Sequence, residues 1–166
     1  MNHQTCFSME QQKVRYEMRN EIETILKESH IDRTKFQEAS KKYYDKIIRT
    51  LYYTYCDYKK YPAIQAAYMW TRFRDHLKMT ELIKTDWDDW EQYIGKLDML
   101  IPENAPTKCY YLLVDGGWVY EGILSEIKKV LLKYPISMDD FYLFPKDYSW
   151  LINHCDDGGC MYRVWK

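Results

Sequence analysis

The stretch from Cys109 to Trp165 changes its apolar period twice, and that pattern commits the chain to mixed α and β structure. Tyr110-Tyr111-Leu112-Leu113-Val114 is a short apolar run closed by Asp115-Gly116-Gly117, which reads as a strand and a turn. From Trp118 to Tyr134 the apolar residues Tyr120, Ile123, Leu124, Ile127, Val130, Leu131 and Tyr134 fall on one face of a helix. Glutamates lie early in that segment and lysines late, in the sense the helix dipole favours. Asp115-Gly116-Gly117 then becomes a strand-to-helix turn. Phe141-Tyr142-Leu143-Phe144 is a second strand, stopped by Pro145. Lys146 to His154 is expected to hold one short helical turn, Asp156 to Gly159 a tight loop, and Met161 to Trp165 a last strand.

The first hundred residues read as helices. Val14, Met18, Ile22, Ile25 and Leu26 share a face from Glu10 to about His30. Asp32 is placed to cap a second helix, whose stripe runs from Phe36 and Ala39 through Tyr44, Ile47 and Leu51 to Tyr55. Tyr61-Pro62 breaks the chain. Ala63, Ala66, Ala67, Trp70, Phe73 and Leu77 then predict a third helix from Ala63 to Lys78. Thr85 and Asp88 resemble a capping box opening a short helix with Trp87, Trp90, Ile94 and Leu97 inside. Residues 101–106 are a proline-bounded linker. The predicted fold class is α+β: a small antiparallel or mixed three- to four-stranded sheet in the C-terminal half, covered by helices, with a helical N-terminal half. A single domain is expected over residues 1–166, helical from about 10 to 98 and mixed from about 107 to 165.

Composition narrows the function classes. Hydrophobic residues make up 46% of the 166, enough for a core, which argues against disorder. The formal net charge is -1, from 24 basic and 25 acidic side chains, which gives no overall pull toward polyanions. Neither nucleic acid nor membrane is expected as a partner. Five cysteines are an odd number in a chain whose core needs no disulfide scaffold. The opening Met1-Asn2-His3-Gln4 leads into no apolar signal-peptide core, so a cytoplasmic location with free thiols is expected. The 17 tyrosines are the compositional outlier, a supply of amphipathic anchors for a core or an interface.

Motifs for chemistry are sparse. His154-Cys155-Asp156-Asp157-Gly158-Gly159-Cys160 holds metal-ligand residue types but no paired C-x-x-C spacing. His154 and Cys155 are adjacent, and adjacent side chains rarely aim at one another as a base and nucleophile must. Asp115-Gly116-Gly117 lacks the lysine and hydroxyl of a phosphate loop. Tyr58-Lys59-Lys60-Tyr61 and Arg72-Phe73-Arg74 mix cations with aromatics, but the second lies inside the predicted third helix with Phe73 on its core side. No catalytic residue, metal or cofactor is therefore assigned. The alternative is a small hydrolase or metal-dependent enzyme built around His154, Cys155, Asp156 and Asp157.

One segment carries a family likeness. The run from Phe141 to Asp156, with Lys146, Tyr148, Trp150-Leu151, Asn153, His154 and Asp156, resembles a C-terminal signature of small uncharacterised bacterial proteins similar to immunity proteins of polymorphic toxin systems. Cys155 stands where a second histidine is common in that group. Tyr110 to Val114, Trp118 and Glu121-Gly122 extend the resemblance, which covers roughly residues 87–165. It implies a non-enzymatic protein that binds another protein, and a toxin domain as that partner. On this reading the binding residues are Trp118, Glu121, Tyr148, His154, Asp156 and Asp157, gathered at one end of the sheet.

Overall fold

A computed structural model describes residues 9–84, 89–105, 108–133, 140–155 and 159–166. Helix α1 spans Met9–Glu28, α2 Tyr44–Tyr55, α3 Trp90–Gly95 and α4 Leu124–Lys133. The strands are β1 Phe36–Glu38, β2 Lys78–Lys84, β3 Cys109–Val114, β4 Trp118–Ile123, β5 Asp140–Pro145, β6 Trp150–Cys155 and β7 Cys160–Trp165. They form one sheet in the order β1-β4-β3-β5-β6-β7-β2, with every pair antiparallel.

This corrects the expected three- to four-stranded C-terminal sheet and the helical N-terminal half. The described sheet has seven strands, and the N-terminal half supplies both of its edges. Phe36 opens no helix, because its ring stacks on Tyr120 across the strand pair, 5.4 Å between centroids. That stack needs a partner without a side chain beside it. Gly122, opposite Phe36, supplies it. A Cβ there would stand 2.6 Å from the Lys35 carbonyl and 2.7 Å from Phe36. Asp32 does cap, but it caps a turn: its Oδ1 accepts the Thr34 amide and hydroxyl.

Residues 63–77 are likewise not the expected helix. Tyr68 sits at φ 51, a left-handed conformation that interrupts any helical run. The backbone there is satisfied by side chains from elsewhere. Tyr68 N–H donates to Asp140 Oδ2 (2.9 Å) and Trp70 N–H to the Tyr142 hydroxyl (3.3 Å). Tyr52 OH donates to the Tyr61 and Ala63 carbonyls, and Arg72 donates to the Ala63 carbonyl as well. These tertiary bonds outcompete the i→i−4 ladder that periodicity predicted.

Two further turns differ from expectation. Gly116 (φ 75) and Gly117 (φ 78) reverse the chain into β4, so residues 118–123 are strand and α4 begins only at Leu124. The segment after Pro145 is a hairpin turn rather than a helical one. Asp147 Oδ1 accepts the Ser149 amide and hydroxyl, Tyr148 takes φ 56, and β6 starts at Trp150. The predicted capping box at residues 85–88 lies outside the described residues.

Directly opposed residues share a sheet face, so register sorts the side chains. Phe36, Tyr120, Leu112, Leu143, Ile152 and Met161 belong to one face, which α1, α3 and α4 cover. Leu113, Tyr142, Phe144, Leu151 and Val164 belong to the other, under α2 and residues 56–77. The tyrosines join these layers. Tyr55 OH donates to the Tyr148 carbonyl (2.8 Å), and Tyr44 OH to Glu38 (2.9 Å) and the Val119 carbonyl (3.1 Å). Each ring is buried while its hydroxyl satisfies a distant acceptor.

Candidate functional site

His154 sits on β6 in the α1/α3/α4 layer and is fully buried. Its ring stacks on Phe141 (5.1 Å, 19°) and meets the edge of Trp90 (5.5 Å). The Tyr93 hydroxyl lies 2.8 Å from Nδ1. Burial raises the Tyr93 phenol, so it stays protonated and hydrogen-bonded to the ring. Burial also lowers His154 to about 4, so the ring is neutral at physiological pH. This is the environment of a core histidine. Cys155 follows on the same strand and therefore points to the opposite face, where its Sγ lies 3.3 Å from Cys160 Sγ. Burial pushes its thiol up, away from thiolate. His154 and Cys155 thus share no space in which one activates the other. Among the described residues no three His, Cys, Asp or Glu side chains come together as a metal cage. Asp156 and Asp157 lie outside the described residues.

The other residues of the expected binding group are spread over the sheet. Trp118, buried at the turn end of β4, is flanked by the Arg19 guanidinium (5.5 Å) and the Lys41 ammonium (5.3 Å), with Tyr44 edge-on at 6.1 Å. Four-strand order β4-β3-β5-β6 separates it from His154, a span of roughly 14 Å. Glu121 projects from the opposite face. Burial works to raise its pKa, but Lys146 (2.7 Å) and Gln37 (3.2 Å) hydrogen bonds prevail and hold it low. Tyr148 lies in the β5–β6 turn at the far end of the sheet, its ring 5.5 Å from Phe144, and burial raises it to about 12. Glu121 and Tyr148 therefore lie toward one end and Trp118 and His154 toward the other.

The structure assembles a different surface. Residues 41–78 contain nine lysines and arginines against three acids, a formal +6. The remaining residues carry −7, and the two add to the chain's -1. Eight of the 17 tyrosines lie in the same segment. Because residues 56–77 fold as a strap beside α2, the two basic-aromatic runs meet. Tyr53 and Tyr58 pack edge to face (5.3 Å), and Arg74 reaches over Tyr58 (5.9 Å) while its Nη2 donates to the Tyr53 carbonyl (2.5 Å). Arg72 and Lys60 flank the Tyr61 ring at 5.7 and 5.2 Å. Tyr43, Tyr53, Tyr58 and Tyr68 are 43–48% exposed. Among the described residues, Lys46, Lys59, Lys60, Arg72 and Arg74 form no ion pair. The local charge count was visible in the sequence. Placing Arg72 and Arg74 inside a helix hid their meeting with Tyr58 and Tyr61.

A shallow groove also runs along α1, between Arg19, Glu23, Lys27, His30 and Arg33. Arg33 pairs with Glu23 (2.6 Å) and Arg19 with Glu38 (2.7 Å), so both of its arginines are already matched. No described helix is long and apolar enough to cross a membrane. No curated protein matches the chain. A family profile does match, over residues 14–164, and on that extent the chain belongs to a family of unknown function, DUF6756.

Proposed function

We propose that the protein works by binding another protein and performs no chemistry itself, with an acidic domain such as a bacterial toxin as the partner. The observation that carries this reading is the basic, tyrosine-rich surface of α2 and residues 56–77. Tyrosine and arginine are enriched in binding hot spots: tyrosine buries much area for two rotatable bonds and carries a polar tip, and arginine presents a planar fork of donors. Here the rings are already held by cation contacts and edge packing, so little side-chain freedom is lost on docking. A segment of formal +6 in a chain whose other residues sum to −7 would attract an acidic surface and orient the approach.

Protein is favoured over nucleic acid for a geometric reason. Base stacking needs open ring faces, and Tyr61 is flanked by two cations while Tyr58 lies beneath Arg74. The resemblance of the C-terminal half to small bacterial proteins similar to immunity proteins would fit a neutralising role.

The test is affinity capture from the native host with wild type and a Lys46→Glu, Lys59→Glu, Lys60→Glu variant. These three side chains are exposed, so the variant should fold, which circular dichroism checks. The expected result is an acidic protein held by wild type, whose measured Kd weakens at least about tenfold in the variant and with added salt. Retention of a partner that ignores both changes would sink the proposal. So would tight binding of single-stranded oligonucleotide in its place.

A further inference from the structure

We propose that Cys155 and Cys160 are a thiol pair that peroxide closes into an intrachain disulfide, making the β6–β7 hairpin a reversible oxidation site. The two residues are Cα partners at the end of the hairpin, opposite one another across the strands. Their sulfurs are already 3.3 Å apart and on the same face. Bond formation therefore asks for an approach of about 1 Å, within reach of two χ1 adjustments and with no change of strand register. The other described cysteines stand elsewhere in the fold. Cys56 is buried, its sulfur 3.6 Å from the Met69 carbonyl, and burial lifts it to about 12. Cys109 lies at the opposite end of the sheet, across from Ile123.

The division of labour follows from exposure. Cys160 is half-buried and Cys155 is buried, so oxidant reaches Cys160 first. As thiolate, the Cys160 sulfur attacks hydrogen peroxide. An S–O bond forms, the O–O bond breaks, and the departing hydroxide takes the proton the thiol gave up, releasing water. The Cys155 sulfur then attacks the Cys160 sulfur. An S–S bond forms, the S–O bond breaks, and the leaving hydroxide accepts the Cys155 proton as a second water. Two thiols are oxidised by two electrons and one peroxide is reduced to two waters. A dithiol reductant reverses the change. The position is also linked to the basic strap. Asp140, the Cα partner of Cys155 on β5, accepts the Tyr68 amide.

The experiment uses the full chain, freed of reductant and treated with hydrogen peroxide, then alkylated and digested with trypsin. Cleavage after Lys146 and Arg163 leaves both cysteines in one peptide, residues 147–163. The expected product is that peptide lighter by two hydrogens and without alkyl groups, restored to double alkylation by prior reduction. In Cys155→Ser the reaction should stop at a Cys160 sulfenic acid, trapped by dimedone, while Cys160→Ser should leave Cys155 alkylatable. Full alkylation of both cysteines after peroxide would overturn the proposal. So would a disulfide to Cys6, Cys56, Cys109 or a second chain, or passage of Cys160 straight to sulfonic acid in the wild type.

Discussion

Acid should weaken this fold through a single ring. His154 is neutral inside the core because burial lowers its pKa from 6.5 to about 4. The unfolded chain, with an ordinary imidazole, takes up a proton as pH falls through 6.5, while the folded chain does not until about 4. Stability from this group is therefore complete above about pH 6.5 and is lost on the way down to about 4. The full difference is about 3 kcal/mol, since each tenfold change in proton affinity is worth about 1.4 kcal/mol. Between pH 7 and pH 5 the loss is about 2 kcal/mol, a large share of the roughly 5–15 kcal/mol typical of a domain. Most carboxylates stay ionised over that interval, which isolates the histidine. Urea titrations at pH 7 and pH 5 measure it, read at constant slope. His154→Gln removes the titration, and its stability should differ between the two pH values by under about 0.5 kcal/mol, whatever the mutation costs at pH 7. A wild-type midpoint unchanged between pH 7 and pH 5, or a variant that keeps the full pH dependence, would refute the reasoning.

Other outcomes follow from the packing. Tyr93→Phe leaves His154 Nδ1 without its hydrogen-bond partner inside the core and should cost about 1–3 kcal/mol in the same titration. Trp150→Ala, which empties the space beside Tyr110 at 5.6 Å, should cost about 3–5 kcal/mol, and a loss under about 1 would mean the ring is not a core anchor. Gly122→Ala forces a methyl against the Lys35 carbonyl and the Phe36 ring, so thermal melts should show a loss of about 1–3 kcal/mol. Lys146→Ala breaks a half-exposed pair with Glu121 and a cation contact with the Tyr111 ring, and should stay within about 1 kcal/mol of wild type.

What the sequence made legible divides along physical lines. α1, β3, β5 and β7 were readable because each buries its apolar residues at one regular period or in one continuous run. β6 was not, because Trp150-Leu151-Ile152-Asn153-His154-Cys155 is buried on both faces and so shows no alternation, with two polar residues inside it. β1 has three residues, too few for any period to register. β2 carries lysine at both ends and an exposed Met79, the polar habit of an edge strand. The false helix at 63–77 had a good apolar stripe. It lost to Asp140 and Tyr142, whose hydrogen bonds to that backbone come from residues no local window contains. The same error dispersed the site, since a helix would keep Arg72 and Arg74 away from Tyr58 and Tyr61. The residues drawn from the family likeness were spaced along the chain, and the strand register sends Glu121 toward one end of the sheet and Trp118 and His154 toward the other.

The two edge strands have a consequence for how the molecule is made. Residues 109–165 supply five adjacent strands, β4-β3-β5-β6-β7. The sheet is closed at its rims by β1 and β2, which leave the ribosome before any of those five strands exists. Phe36 must wait for Gly122, and Lys78 for Trp165, each about half the chain's length away. During synthesis the N-terminal half is thus a set of helices and unpaired strand segments without a sheet to join, and its apolar faces stay open until residues 109–165 have emerged. Pairing across such distances slows folding, and nascent chains in this state are the ones most apt to aggregate or to engage chaperones. Exchanging the order of the halves, with residues 109–165 synthesised first, would give the rims a template as they emerge.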